Sequence, residues 1–386
     1  MNCLILGASL NQIELIKKVK LRGFFAIVVT PNYIDPGVQL ADFHINEDVK
    51  NINGIVEKSA QFKIDLCVTD QSDVGALSQA RICALLGIPG ISTSIVESFC
   101  DKYKCYKTIA AFGKRFHPET IYFGSVEDAN VFLTKSTDKR SKWIVKPVNS
   151  QGSKGVSRLA ENDDNFSLLE AMGESMGSGF VLQEYIEGRH FSVDALTSSE
   201  HYIPLVIAEK TKYIENTNLD KRLILTSPKN KYSQQKILDF HREVVSTLGL
   251  TLGLTHGEYI LTKDGVIYLI EIAVRGGGGN ISGKVIEYIT GFSPQDFLID
   301  SALGKPQEIL VNSSSKRCAI IHFFDSTSEI KNFRGLPESL HFEYNALRKS
   351  EVSPRDSRYR PGYFIVGGST LEEALTKENE FLNFVI

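Results

Sequence analysis

The chain has 386 residues, 42% of them hydrophobic and 23% charged, enough for two or three domains around large buried cores. Its 43 Lys and Arg against 46 Asp and Glu leave a net charge of −3, which excludes a globally basic nucleic-acid binder. No apolar run approaches the roughly 18 residues of a membrane span, and Cys3-Leu4-Ile5-Leu6 is too short for a secretory core, so a soluble cytoplasmic protein is expected. Cys3, Cys67, Cys83, Cys100, Cys105 and Cys318 form no CxxC pair and read as reduced core thiols, not a zinc site.

The first hundred residues alternate apolar runs with helical patterns. Cys3 to Ser9 reads as a strand ending in a tight turn, and Gln12 to Leu21 as a helix with Ile13, Ile16 and Val19 on one face. Phe25 to Thr30 is a second strand, stopped by Pro31. A helix near Ile52 to Ala60, a strand Leu66 to Thr69 and a helix from about Val74 to Leu86 follow. This alternation implies a parallel sheet with right-handed crossovers. The first turn lacks GxGxxG, since Ser9 and Gln12 occupy its second and third glycine positions, so no dinucleotide fingerprint is present. Asp70-Gln71-Ser72-Asp73 ends a parallel strand where ligands bind open α/β sheets, but it serves equally as a polar cap for the next helix.

A helix from about Ser94 opens a mixed region that runs to about Gly304. Strand Trp143 to Lys146 leads into the polar loop Asn149 to Gly155, and strand Phe180 to Ile186 ends at Glu187-Gly188. Short strands at Arg317 to Phe324 and Tyr363 to Val366, with a helix near Leu371 to Phe381, suggest a small terminal unit beyond a serine-rich linker, Asn312 to Ser315.

Three constellations carry chemistry. Lys146 closes a strand before Gln151-Gly152-Ser153-Lys154-Gly155, where glycines let backbone N–H groups approach anionic oxygens and the lysine neutralises them. Glu258 and Glu271 flank Asp264-Gly265, a strong hairpin signal between two β-rich runs. If Asp264 and Gly265 are the two central turn residues, Lys263 faces Val266 and Glu258 falls opposite Glu271, with Cβ atoms about 5 Å apart. Like charges so close become favourable with a hard divalent cation between them, and Mg²⁺ suits carboxylate oxygens. A three-residue turn with a bulge would instead slip the register and part the pair. The third constellation is Arg275 with Gly276 to Gly279, a backbone poised for close approach to a ligand beside an arginine fit to grip a carboxylate or phosphoryl group. Outside these, Lys210 ends an apolar strand and either touches substrate or phosphate or, as the safer reading, is an exposed lysine. His256 reads as a packed neighbour of Glu258, and Arg355, Arg358 and Arg360 as solvated charges.

Taken in order, these motifs resemble the ATP-grasp superfamily, whose members include biotin carboxylase, carbamoyl phosphate synthetase and D-alanine–D-alanine ligase. The resemblance implies an α/β and α+β multidomain fold: a parallel-sheet N-terminal domain over 1–93, a grasp core over 94–305 with a lid at about 112–186, and a small C-terminal α+β domain over 306–386. Asp101-Lys102 resembles the helix start whose lysine reaches the ATP phosphates, Lys146 the strand lysine that does the same, and Gln151, Gly152, Ser153 and Gly155 the flap over them. Gln183, Glu184, Tyr185 and Ile186 match the segment that meets adenine, with His190 near the ribose. Glu258 and Glu271 match the metal carboxylates, holding Mg²⁺ or Mn²⁺. Many members carry asparagine two residues after the second carboxylate, where this chain has Ala273. Glu271 to Gly277 is instead similar to grasp enzymes that ligate amino acids, in which Arg275 would orient the substrate carboxylate. The implied activity is an ATP-dependent carboxylate–amine ligase, with Lys146 and Arg275 catalytic, acting through an acyl phosphate on a small carboxylate and an amine. The alternatives are a carboxylase of the biotin carboxylase type and a nucleotide-binding protein without turnover. No nucleic-acid or membrane partner is expected, and homodimers are common in the family.

Overall fold

A computed structural model of the chain describes residues 1–113, 116–136, 139–161, 165–199, 201–231, 234–305, 309–325, 335–344 and 354–386. The N-terminal sheet is parallel throughout, with Asn2–Leu6 between Phe25–Val29 and Ile64–Val68, and Phe43–Ile45 at the edge. The central strands are apolar on both faces because helices cover both, and Leu4, Ile5, Ile27, Val28 and Cys67 are fully buried. The crossover helices Ile13–Leu21, Ile52–Ser59 and Asp73–Leu86 match the expected periodicity within a residue or two. The short edge strand was not expected, since three residues carry too little pattern to read. The Ser72 hydroxyl caps Asp73–Leu86 by accepting from the Gly75 N–H.

A second sheet is antiparallel, in the order Thr120–Phe123, Phe180–Glu184, Trp143–Pro147, Ser157–Arg158. Helices Val126–Lys135 and Phe166–Glu174 pack on it around Trp143, Phe180 and Leu182. The third sheet is the largest: Ile267–Ala273, Leu252–Leu261, Arg189–Ser198, His201–Lys212, Asp220–Thr226, Cys318–Phe323, Gly362–Gly368 and His341–Tyr344, in that order and antiparallel. Its last three strands come from the C-terminal segment, which therefore continues the central sheet. The serine-rich stretch read as a linker is pinned: Asn312 N–H donates to the Thr290 carbonyl, and Ser227 Oγ donates to that of Ser315.

The hairpin that carries the two glutamates turns differently from the two-residue expectation. Thr262 N–H donates to the Val266 carbonyl and Gly265 N–H to that of Thr262, so the loop has three residues, Lys263, Asp264 and Gly265. Tyr259 pairs with Leu269, yet Glu258 pairs with Glu271, because Ile270 is the extra residue of a bulge. The loop shifts the register by one and the bulge shifts it back. Strict alternation would set Glu271 on the face of Leu269, in the apolar core; the bulge turns it to the other face, beside Glu258. All six cysteines are free thiols, and no described helix is long and apolar enough to cross a membrane.

Candidate active site

Between the small antiparallel sheet and the large one lies a cleft of about 790 Å³. Lys102, Lys146, Ser153, Gln183, Glu184, Tyr185, Ile186, His190, Glu258 and Glu271 all line it. Residues far apart in sequence converge here because the hairpin supplies its floor and the strands of the small sheet its roof. Asp101 accepts from Lys104 N–H and starts the helix Lys102–Ala111, aiming the first helical side chain into the cleft.

Each opposed carboxylate is held by a lysine. Lys102 Nζ donates to Glu271 Oε1 at 3.0 Å and to the Ser150 carbonyl at 2.8 Å. Lys210 Nζ donates to Glu258 Oε1 at 2.6 Å and pairs with Asp220 at 2.9 Å. Burial opposes a charge on Lys210, but Asp220 and Glu258 outweigh it and carry its pKa well above the ordinary lysine value. Burial likewise pushes Glu258 upward, and Lys210 with His256 reverses this, holding the carboxyl well below its usual range. Lys210 is thus a buried member of the site and not the exposed lysine expected. Lys212, on the same strand face, pairs with Asp220 at 2.6 Å; neither Lys212 nor Asp220 stood out from the sequence, although the two-residue spacing from Lys210 put both lysines on one face.

Lys146 Nζ donates to Gln183 Oε1 at 2.7 Å, and Gln183 Nε2 to Thr120 Oγ1 at 3.0 Å. Burial, with Lys102 nearby, brings the Lys146 ammonium down to about 8 against the pull of Glu271. Tyr185 lies under the Arg158 guanidinium, 4.0 Å from its ring centroid. The N–H groups of Glu184 and Tyr185 are spent on the Glu119 and Lys142 carbonyls, and Ile186 follows just beyond both bonds. Burial and the neighbouring lysines pull His190 down to about 4, so it presents a neutral imidazole to the cleft. His256 packs behind Glu258 as expected: its Nδ1 lies 2.9 Å from Asp194, whose other oxygen accepts from the Gly277 N–H at 2.7 Å.

Other residues singled out from the sequence stand outside this lining. Gln151 Oε1 accepts from Asp73 N–H at 3.2 Å, the Gly152 carbonyl accepts from Ser357 N–H, and Gly155 sits against Pro147 and Glu174. Arg275 Nε donates to Asp73 Oδ1 at 2.7 Å, binding the glycine-rich loop to the helix Asp73–Leu86. The Asp70 carboxylate is buried, accepting from Ser282 and Gln295. Arg355, Arg358 and Arg360 are not free surface charges: Arg355 pairs with Glu170, Arg358 with Glu174 and Asp356, and Arg360 lies 3.8 Å over the Phe323 ring.

The donors present fit a divalent cation with a polyphosphate. Two carboxylates face each other across one strand pair, and the lysines beside them supply the positive charge that such a pair requires. Ala273 offers no further oxygen, and among the described residues no cluster of three or more acidic, His or Cys side chains could hold a metal. The remaining ligands of a Mg²⁺ or Mn²⁺ ion would therefore be phosphate oxygens and water, as Mg²⁺ favours.

Residues 99–279 match the sequence family described as the ATP-grasp domain. Alanine–anticapsin ligase of Bacillus subtilis is 23% identical over 280 residues, covering 67% of this chain and 58% of the ligase, so the chain spans under two thirds of the length of that relative. The crystal structure of an L-amino acid ligase from Bacillus licheniformis superimposes with a TM-score of 0.79 at 18% identity, covering 100% of this chain and 98% of that one. A biotin carboxylase–ATP complex from Campylobacter jejuni gives 0.73 at 17% identity, covering 100% and 91%. Residues 99–279, which hold the lysine-lined cleft, thus carry an ATP-grasp domain, and the fold is shared along the whole length with these solved structures.

Proposed function

We propose that this chain is an ATP-dependent carboxylate–amine ligase that forms an amide or peptide bond and yields ADP and phosphate. The observation that carries the proposal is the opposed Glu258–Glu271 pair, set among Lys102, Lys146 and Lys210 in one cleft. The reach of the likeness to an L-amino acid ligase supports it, as does the relative named alanine–anticapsin ligase. Glu258 and Glu271 would hold the divalent cation, which when bound neutralises charge between the β- and γ-phosphates. Lys102 and Lys146 bind the phosphate oxygens, Gln183 to Ile186 receive the adenine, and neutral His190 meets the ribose.

In the first step a carboxylate oxygen of the acid attacks the γ-phosphorus, the bond to the β-bridging oxygen breaks, and ADP leaves behind an acyl phosphate. The amine nitrogen then attacks the acyl carbon, phosphate departs with the electrons of the C–O bond, and the nitrogen loses its proton. Arg275 steers the acid's carboxylate, with Asp73 as its resident partner. The flap around Ser153 excludes water, to which an acyl phosphate would otherwise be lost. Most of the acceleration is positioning and charge stabilisation. A phosphate-release screen of amino acids in pairs, with ATP and Mg²⁺, tests the proposal. Release that requires both an acid and an amine is expected; release driven by bicarbonate alone, or none with any pair, would contradict it.

A further inference from the structure

The segment Pro354 to Arg358 lies about two hundred residues after the flap, yet it is fastened to it. Ser357 N–H donates to the Gly152 carbonyl at 3.2 Å. Gly152 adopts a φ of +70°, and a Cβ there would collide with Ser357 Oγ, so glycine is demanded both by the backbone and by this contact. Two arginines three residues apart then reach two glutamates four residues apart on the lid helix Phe166–Glu174. Arg355 pairs with Glu170, and Arg358 Nη2 donates to Glu174 Oε1 at 2.7 Å. Buried Asp356 accepts from Arg358 and sets its direction. The loop between the strands His201–Lys212 and Asp220–Thr226 closes the ring: Asn216 Nδ2 donates to the carbonyls of Pro354 and Arg355, Asn218 Nδ2 to that of Val156, and Ser153 Oγ to that of Asn218. The bonds of Ser357, of the two arginines to the lid glutamates, and of Asn218 with Val156 and Ser153 join the roof of the cleft to the large sheet and its C-terminal extension. Those of Asn216 tie that extension to the large sheet.

We infer that Arg355, Ser357 and Arg358 are positioning residues that latch the flap and lid helix over the nucleotide and set the rate of nucleotide exchange. The inference rests on the reading of the cleft as an ATP site. Exposed ion pairs are individually weak, which suits a contact that must break in each turnover. None of the three touches the cleft, so their effect passes through Gly152, Ser153 and the lid helix alone.

The test is the double variant Arg355→Ala/Arg358→Ala, read two ways: dissociation of a fluorescent ATP analogue with Mg²⁺, and tryptic cleavage after Lys154 in the nucleotide-free protein. Both are expected to accelerate about tenfold. Raised salt should speed dissociation in the wild type and leave the variant nearly unchanged, and Arg358→Lys should restore part of the loss. Glu170→Gln/Glu174→Gln, made from the lid side, should reproduce the effect without touching the C-terminal segment. Cleavage and dissociation both within twofold of wild type, in either double variant, would overturn the latch. Faster cleavage with unchanged dissociation would overturn its control of exchange. A wild type that binds no analogue, while cleavage still accelerates in the variants, would count against the ATP reading and leave the fastening itself supported.

Discussion

Lys102 and Glu271 illustrate how one contact serves both stability and chemistry. The lysine is buried and its ammonium is kept by the carboxylate that would also hold the cation. Glu271→Ala should therefore lower ATP turnover by roughly a hundred- to a thousandfold, as loss of a well-placed charge commonly does. The stability cost should be about 2–3 kcal/mol, because buried Lys102 loses its carboxylate partner, while the exposure of Glu271 and the Ser150 carbonyl keep the loss below that of a fully buried pair. Turnover assays and thermal melts check the two halves. Lys146 yields a sharper signature. Its ammonium titrates at about 8 in the free protein, below the ordinary 10.5, and adjacent phosphates would raise that value. Binding must then take up protons above pH 8, nearly one per site at about pH 9 and almost none at about pH 7. Calorimetry in buffers of different ionisation enthalpy measures this, and Lys146→Gln should abolish it. Lys146 could be found from the sequence because a strand end fixes where it points, and the Glu258–Glu271 pairing because a count from the Asp-Gly turn reaches it, although a bulge completes the register. Lys210 could not, since its burial depends on Asp220, which reaches it only once two strands pair.

At the level of elements, the hairpin of residues 252–273 combines two irregularities whose effects cancel. A count from a two-residue turn reaches the right partners for Glu258, although neither the turn length nor the regular ladder it assumes is present. The bulge left a trace: Leu269 and Ile272, three apart, both enter the core, which a regular strand does not allow. Gly265 closes the loop at a φ of +85°, with nothing within 4 Å of an added Cβ. Gly265→Ala should thus cost about 1 kcal/mol of stability through backbone strain alone. Nucleotide affinity should stay the same, because the bulge and not the turn sets the glutamate register. Denaturant melts and nucleotide titration would show whether the two effects separate in this way.

For the molecule as a whole, the parallel N-terminal sheet follows from alternating runs of strand and helix pattern, and short strand runs mark a C-terminal part. The joining of the last part does not follow from such runs, because the pairing of Asp220–Thr226 with Cys318–Phe323 spans nearly a hundred residues and no local signal marks it. That pairing brings Pro354 to Arg358 against the flap from outside the cleft, whose lining runs from Lys102 to Glu271 and whose proposed chemistry turns on two carboxylates. The most direct test is a crystal structure with Mg²⁺ and a non-hydrolysable ATP analogue. An ion bound by both Glu258 and Glu271 at about 2.0–2.1 Å and touching the phosphates, with Lys102 and Lys146 on the same tail, is the expected result. A nucleotide bound elsewhere, or an ion that leaves either glutamate unused, would contradict it.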